Sequence, residues 1–208
     1  MPALYPRRSG MIAEREINME QKTKKLVGVG LLTAIVVVLQ ALAVVIRPTG
    51  IFNISLVLVP IVVGAALYGY KAGAWLGFVF SMVVLFTDTA AFMAISVPGT
   101  IITVLVKGTL AGLVAGLVYL ALEKKNRHLA VIASAIACPV TNTGIFLLGC
   151  VLFFMDTING WAAASGYASA GTYLIVAMVG VNFLIELAVN IVLSSVIVQI
   201  IHIGKRNG

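Results

Sequence analysis

Long apolar stretches separated by short polar segments run through the sequence. Cutting it at the polar interruptions gives six of them, at about residues 26–46, 54–70, 72–87, 99–121, 129–154 and 172–203. A membrane-spanning helix needs about 20 mostly apolar residues, whereas the strands of a membrane barrel would show short alternating runs. The pattern therefore predicts an all-α membrane protein whose fold is a bundle of six transmembrane helices.

Composition leaves room for little besides these spans. Of the 208 residues, 61% are apolar and 10% are charged, against about 45–50% and about 25% in ordinary soluble domains. We expect a single transmembrane domain over residues 22–206, preceded by a polar and disordered leader over residues 1–21. A second soluble domain of normal size does not fit.

The fourteen Lys and Arg residues act as topology markers. Twelve of them lie in the two terminal segments and in the loops on the same side of the predicted bundle. Of the other two, Arg47 lies in an opposite loop and Lys107 lies inside a span. Because basic residues concentrate on the cytoplasmic side, we expect a multi-pass plasma-membrane protein with both termini in the cytoplasm. The net charge of +7 is spread over loops and does not indicate nucleic-acid binding.

Motifs that supply energy or catalysis are missing from the sequence. It contains no G-x-x-x-x-G-K-[ST], G-x-G-x-x-G, H-E-x-x-H or C-x-x-C, so we expect no cofactor, no metal site and no catalytic activity. Uphill transport would then need an ion gradient or a separate ATPase. Two alternatives stay open, a stand-alone ion-coupled transporter and an intramembrane enzyme with Glu186 as base and Lys107 as electrostatic stabiliser.

Polar residues in the last three predicted spans lie at similar depth. Lys107, Asn142 and Asn182 stand eight to ten residues from the outer ends of their spans, which is about 12–15 Å at helical rise. Glu186 is one turn deeper, and Asn182, Glu186 and Asn190 follow each other at intervals of four on one helix face. Since an ionisable side chain in a membrane is costly and faces the bundle interior, these residues predict a binding site there.

The chemistry of this site suits a small anionic solute that carries hydroxyl or amide groups. The Lys107 ammonium would neutralise a carboxylate, and the neighbouring amides both donate and accept hydrogen bonds. The outer loops, residues 86–98 and 155–171, carry Asp88, Trp161 and Tyr167 and are expected to cap the pocket. For the deeper Glu186 and Asn190 a structural role, holding helices together, is the alternative.

A proline interrupts the hydrogen bonding of the fifth predicted span. Pro139 precedes Thr141, Asn142 and Thr143, and it has no N–H to bond the carbonyl four residues back. The sequence thus predicts a free acceptor at Ala135 beside the polar residues.

Small residues recur every fourth position and predict close helix packing. One series is Gly108, Gly112 and Gly116, and another is Gly69, Gly73 and Gly77. A shorter pair, Gly30 and Ala34 in the first span, is a candidate docking face for a partner subunit.

Four segments together resemble one family of membrane proteins: Asn53–Gly69 with its P-x-x-x-G, Lys71–Gly77, Lys107–Gly112, and Cys138–Gly144, which reads Cys-Pro-Val-Thr-Asn-Thr-Gly. They are similar to the substrate-binding S components of energy-coupling factor (ECF) transporters, over residues 22–206. The last segment is most similar to the pantothenate-type members.

The resemblance implies a division of labour. An S component binds a vitamin from outside with high affinity and topples in the membrane on a transmembrane coupling subunit (T component), driven by two cytosolic ABC-type ATPases. The family docks through Ala-x-x-x-Ala, for which this chain has Gly30-x-x-x-Ala34. Pantothenate is the expected vitamin, with riboflavin, folate or a pyrimidine or pyridoxine precursor as alternatives. The candidate substrate-binding residues are Asn53, Asp88, Lys107, Asn142, Thr143, Trp161, Tyr167, Asn182 and Glu186.

Overall fold

The computed structural model describes residues 6–46 and 56–207, and it describes side chains for residues 19–45, 56–180 and 183–199. All regular secondary structure in these residues is helical, which confirms the all-α fold class. The helices are α1 (Pro6–Ile46), α2 (Leu58–Tyr68), α3 (Tyr70–Thr87), α4 (Ala90–Met93), α5 (Val97–Leu122), α6 (Arg127–Phe153), α7 (Met155–Ala164), α8 (Ala170–Thr172), a π-helical segment (Tyr173–Val179) and α9 (Gly180–Asn207).

Several of these helices are long and apolar enough to cross a membrane. Within the described residues these are Met19–Val45 of α1 and the whole of α3, α5 and α6. Ala170–Val179 and Phe183–Gln199 meet at a bend of 41° and together meet the same criteria as a further span. Helix α2 is apolar but shorter. The chain is therefore a multi-span membrane protein, while six spans and cytoplasmic termini stay predictions.

Two helix starts differ from the sequence prediction. Helix α1 begins at Pro6 and runs through most of the expected leader, because residues 11–25 are rich in good helix formers and Glu20 pairs with Lys24 one turn later at 2.7 Å. Helix α2 begins at Leu58 and not at residue 54. Pro60 accordingly lies in its first turn, where a missing N–H breaks no helical bond. The domain boundary near residue 21 stays a prediction.

Side-chain caps fix where α5 and α6 begin. The Ser96 hydroxyl accepts a hydrogen bond from the Gly99 N–H at 3.2 Å, and Pro98 occupies the first turn. The Asn126 side chain accepts from the Leu129 N–H at 3.1 Å. Each cap satisfies a backbone donor that the first helical turn leaves without a partner.

The two glycine series pack against each other and confirm the predicted close approach of helices. A Cβ atom on Gly77 would collide with the backbone of Gly108, and one on Gly112 would collide with the backbone of Gly73. Helices α3 and α5 are therefore in backbone contact, which in lipid is a main source of helix association. Gly69 adopts φ +92 between α2 and α3, a conformation that favours glycine.

Helix α2 lies at the centre of the bundle. Its residues Leu58–Ala65 are all buried, and it contacts α1, α3, α5, α6 and α9. A helix that is apolar on every side is stable only when it is surrounded, which explains this position. The longer helices instead expose apolar side chains, such as Leu31 and Val38 on α1 and Ile102 on α5, as a lipid-facing surface requires.

Candidate functional site

A cavity of about 350 Å³ lies between the helices at the end of the bundle that carries α4 and α7. Its volume is within the range of small-molecule sites, near the lower limit of about 300 Å³. Helices α1, α3, α4, α5, α6 and α9 all contribute to its wall. The lining residues are Gln40, Phe80, Val84, Asp88, Thr89, Phe92, Thr100, Thr103, Val104, Lys107, Asn142, Thr143, Phe146, Phe154, Met178, Val179, Phe183 and Glu186.

The structure brings five of the sequence-predicted site residues together around this cavity: Asp88, Lys107, Asn142, Thr143 and Glu186. They come from α5, α6 and α9 and from the connection that follows α3. Asp88 is exposed, whereas the other four are partly buried. A polar group in a membrane avoids lipid, and these four side chains do so by lining one interior cavity.

The other predicted site residues do not line the cavity or lie outside the described part of the chain. Trp161 contacts Phe92, with ring centroids 5.8 Å apart, and so stands behind a lining residue. Tyr167 contacts Tyr173, with centroids 5.3 Å apart. Asn53 lies outside the described residues, and the side chain of Asn182 is likewise not described. A ligand-binding role for these four residues stays a prediction.

Some of the polar residues that line the cavity could not be predicted from the sequence. Gln40 on α1 is 1% exposed, and Thr100 and Thr103 on α5 are 1% and 5% exposed. Gln40 is recognisable in retrospect as a lone amide within the apolar first span. The threonines are not, because a hydroxyl in a helix can bond its own backbone and is common in apolar segments.

The charges around the cavity are one ammonium and two carboxylates. Lys107 Nζ lies 5.3 Å from the centroid of the Phe146 ring, close enough for a cation–π interaction. The carboxylates are those of Asp88 and Glu186. Among the described residues no group of three His, Cys, Asp or Glu side chains is arranged as a metal ion would require.

An aromatic cluster borders the cavity at the end that carries α4. Phe92 on α4 is surrounded by Phe146, Phe154 and Trp161, with centroid distances of 5.8, 5.0 and 5.8 Å, and all three ring pairs are edge-to-face. This geometry is the favourable one for aromatic pairs. The short helix α4 is thus held over the cavity by ring packing.

Two buried polar atoms on residues of the wall have no hydrogen-bond partner in the described part of the protein: Thr103 Oγ1 and Asn142 Oδ1. Leaving such an atom unpaired usually costs about 1–3 kcal/mol. The wall therefore contains, on α6, an amide oxygen that is able to accept a bond and, on α5, a hydroxyl that is able to accept or donate one.

Asn190 has the structural role that was the alternative for the deeper polar residues. It is 1% exposed, and its Nδ2 donates to the carbonyl oxygen of Ala135 at 2.7 Å. Ser194 Oγ in turn donates to Asn190 Oδ1 at 3.3 Å. The acceptor predicted at Ala135 from the position of Pro139 is thus used to join α6 to α9.

The candidate docking pair is on an open surface of α1. Gly30 and Ala34 are both exposed, and no atom lies within 4 Å of the position that a Cβ on Gly30 would take. Small residues on an exposed helix face allow another helix to approach closely.

Comparison with known proteins identifies one matching family. The family model for the ECF transporter, substrate-specific component, matches residues 24–198 of this chain. No curated protein and no solved structure matches it.

Proposed function

Because the chain belongs to the family of ECF transporter substrate-specific components, it is the substrate-binding subunit of an ECF importer, and we propose that its substrate is a small vitamin, pantothenate in the first place. Components of this family are transporter subunits and not enzymes. The proposed binding site is the cavity between α5, α6 and α9, entered from the end that carries α4.

The convergence of Lys107, Asn142, Thr143 and Glu186 on one cavity is the observation that carries this proposal. Pantothenate has a carboxylate that Lys107 would neutralise, and it has hydroxyl groups and an amide N–H that would donate to the side-chain oxygens. The apolar part of the wall, which includes Phe80 and Phe183, would contact its methyl groups. The volume of about 350 Å³ is sufficient for a ligand of this size.

A second candidate follows from the two carboxylates in the wall. Asp88 and Glu186 would also suit a vitamin precursor with a protonated nitrogen, such as a pyridoxine or pyrimidine type. In that case Lys107 would hold one of these wall carboxylates in place and would not contact the charged group of the ligand. The two candidates therefore differ in the charge of the ligand that binds.

The proposed transport cycle needs partners. We propose that a T component docks on the Gly30 and Ala34 face of α1 and that two cytosolic ATPases drive the toppling of the chain. In this proposal α2 and the bent pair at α9 complete six spans, with both termini in the cytoplasm. The exposure of Gly30 and Ala34 supports the docking face.

A thermal-shift screen of the purified chain against the B vitamins tests the substrate. A tight ligand raises Tm with the logarithm of its concentration over Kd, so pantothenate should raise it most and by an amount that grows with concentration. A larger shift with a basic vitamin precursor would favour the second candidate, and the absence of any shift would contradict vitamin binding in this cavity.

Uptake measurements test the dependence on partners. Cells that express the chain with a T component and the ATPases should accumulate labelled vitamin, and cells that express the chain alone should only bind it. Undiminished uptake without the partners would favour a stand-alone transporter and contradict the proposed cycle.

A further inference from the structure

We infer that Thr103 and Asn142 provide two polar subsites on opposite sides of Lys107, each of which recognises a hydroxyl or amide group of the ligand about one helical turn from the ligand group bound at Lys107. This inference rests on the proposed function and adds to it which polar groups a ligand must carry. It assigns a role to Thr103, which neither the sequence pattern nor the family match singles out.

The hydroxyl of Thr103 does not bond its own helix, unlike those of several other threonines in the chain. Thr33, Thr87, Thr89 and Thr100 each donate to the carbonyl oxygen four residues earlier at 2.8 Å. Thr103 is 5% exposed, and its Oγ1 forms no bond with any described residue. Thr103 lines the cavity, and its hydroxyl is therefore an unbonded polar group within the cavity wall.

Contacts on the opposite helix hold Thr103 in this position. Its side chain occupies the space left by Gly149 on α6, where an added Cβ would collide with it. Asn142 lies on the same helix α6, two turns before Gly149, and its Oδ1 is the other unpartnered atom of the wall within the described residues. The two atoms therefore belong to facing helices that border one cavity.

Elsewhere between α5 and α6, a buried hydroxyl does have a hydrogen-bond partner. Ser134 on α6 is fully buried, and its Oγ donates to the Ala115 carbonyl oxygen of α5 at 2.7 Å. Ser81 and Ser195 also have unpartnered hydroxyls within the described residues, but neither lines the cavity. What distinguishes Thr103 and Asn142 is that each combines an unpaired polar atom with a place in the cavity wall.

The spacing of residues along α5 indicates how far apart the polar groups of the ligand should be. Thr103 and Lys107 are four residues apart and lie on the same helix face, separated by about 6 Å of helical rise. Asn142 Oδ1 only accepts, as do the carboxylates of Asp88 and Glu186. The preferred ligand is therefore an anion with several hydrogen-bond donors, one of them about 6 Å from its anionic group.

Two substitutions in the full chain test the Thr103 subsite by stability and by affinity. Thr103→Val keeps the shape and removes the hydroxyl, and Thr103→Ser keeps the hydroxyl. Without ligand, Thr103→Val should have a Tm equal to or above that of the wild type, because an unpaired buried hydroxyl is removed. Its affinity for pantothenate, measured by calorimetry, should fall by about two- to tenfold, the range for a neutral hydrogen bond, while Thr103→Ser should bind like the wild type.

Thr100→Val is the matched control. Thr100 lines the same cavity, but its hydroxyl already donates to the Ser96 carbonyl, so this variant should lose less affinity than Thr103→Val. An analogue of pantothenate with hydrogen in place of its hydroxyl groups gives a second control. If Thr103 contacts a hydroxyl of the ligand, Thr103→Val should weaken the analogue less than it weakens pantothenate.

The possible results distinguish a failure of this inference from a failure of the proposed function. A lower Tm of ligand-free Thr103→Val with unchanged affinity would show that the hydroxyl has a structural partner, and the Thr103 subsite would be wrong. If pantothenate does not bind, the vitamin that gives the largest shift in the screen is used in the same comparison, and only the ligand assignment fails. If no vitamin binds the wild type, the proposed function fails, and the ligand-free Tm of Thr103→Val alone decides whether its hydroxyl is unpaired.

Discussion

Asn190 donates a hydrogen bond of 2.7 Å to the carbonyl oxygen of Ala135 and so joins α9 to α6. In an uninterrupted helix that oxygen would accept from the N–H of the residue at position 139. Pro139 stands there and has no N–H. The side-chain amide of one helix thus replaces a backbone bond that a proline removes from its neighbour, one turn below the cavity residue Glu186.

We predict that Asn190→Leu destabilises the protein by about 1–2 kcal/mol, since polar contacts between membrane helices contribute about that much at most. The variant leaves the carbonyl of Ala135 and the hydroxyl of Ser194 without their present partner. Unfolding of the purified chain in detergent, followed by denaturant titration, measures the change.

The proline offers a control for this prediction. In Pro139→Ala the backbone N–H at position 139 returns and bonds Ala135, so Asn190→Leu should cost about 1 kcal/mol less in that background. Equal costs in both backgrounds would mean that Asn190 does not compensate for Pro139.

The contact between α3 and α5 should not tolerate a side chain at Gly77. Gly77→Ala places a methyl group against the backbone of Gly108, and overpacking of this kind usually costs about 1–3 kcal/mol. We expect a lower Tm and a smaller monodisperse fraction in gel filtration. Gly144→Ala is the control, because nothing lies within 4 Å of its added Cβ, and its Tm should not fall. Equal behaviour of the two variants would contradict the close backbone contact.

The long helices of the bundle, such as α5 and α6, could be predicted from the sequence because their apolar runs are long and their starts are capped. Ser96 and Asn126 act through local hydrogen bonds that the sequence contains. Helices α4 and α7 could not be predicted in this way, since no apolar run of span length marks them. Phe92 and Trp161 hold them through contacts between residues far apart in the sequence.

The charged part of the site could be predicted because an ionisable residue inside an apolar run requires an interior position. Lys107 and Glu186 are such residues, and both line the cavity. Thr103 could not be found, since its importance depends on a hydrogen bond that it fails to make with its own helix. The sequence gives the residue type but not the direction of its hydroxyl.

Lys107→Ala should weaken the binding of an anionic vitamin by about ten- to hundredfold, the usual range for a hydrogen bond to a charged group. Lys71→Ala is a matched control, because Lys71 is exposed on α3 and does not line the cavity. Calorimetry of the purified variants measures both affinities. Unchanged affinity of Lys107→Ala would remove Lys107 from the site, and an increase would favour a cationic ligand.

Docking of the T component should depend on the size of the residue at position 30. Gly30→Leu fills the open space on α1 and should abolish co-purification with the T component, while vitamin affinity of the isolated chain is kept. Gly30→Ala creates the Ala-x-x-x-Ala pattern of the family and should co-purify normally. Normal co-purification of Gly30→Leu would place the docking face elsewhere.

The aromatic cluster over the cavity should slow the release of the ligand, mainly through Phe92. Phe92 contacts three other rings and lines the cavity, and each such pair contributes about 0.5–1.5 kcal/mol. Phe92→Ala should therefore raise the dissociation rate by about tenfold or more. Trp161→Ala, which removes one contact behind Phe92, should raise it by about two- to tenfold, and Tyr167→Ala should have little effect because that residue contacts Tyr173 instead. Dissociation of labelled vitamin into excess unlabelled vitamin measures all three rates. A larger effect for Trp161→Ala than for Phe92→Ala would mean that the Trp161 ring contacts the ligand directly.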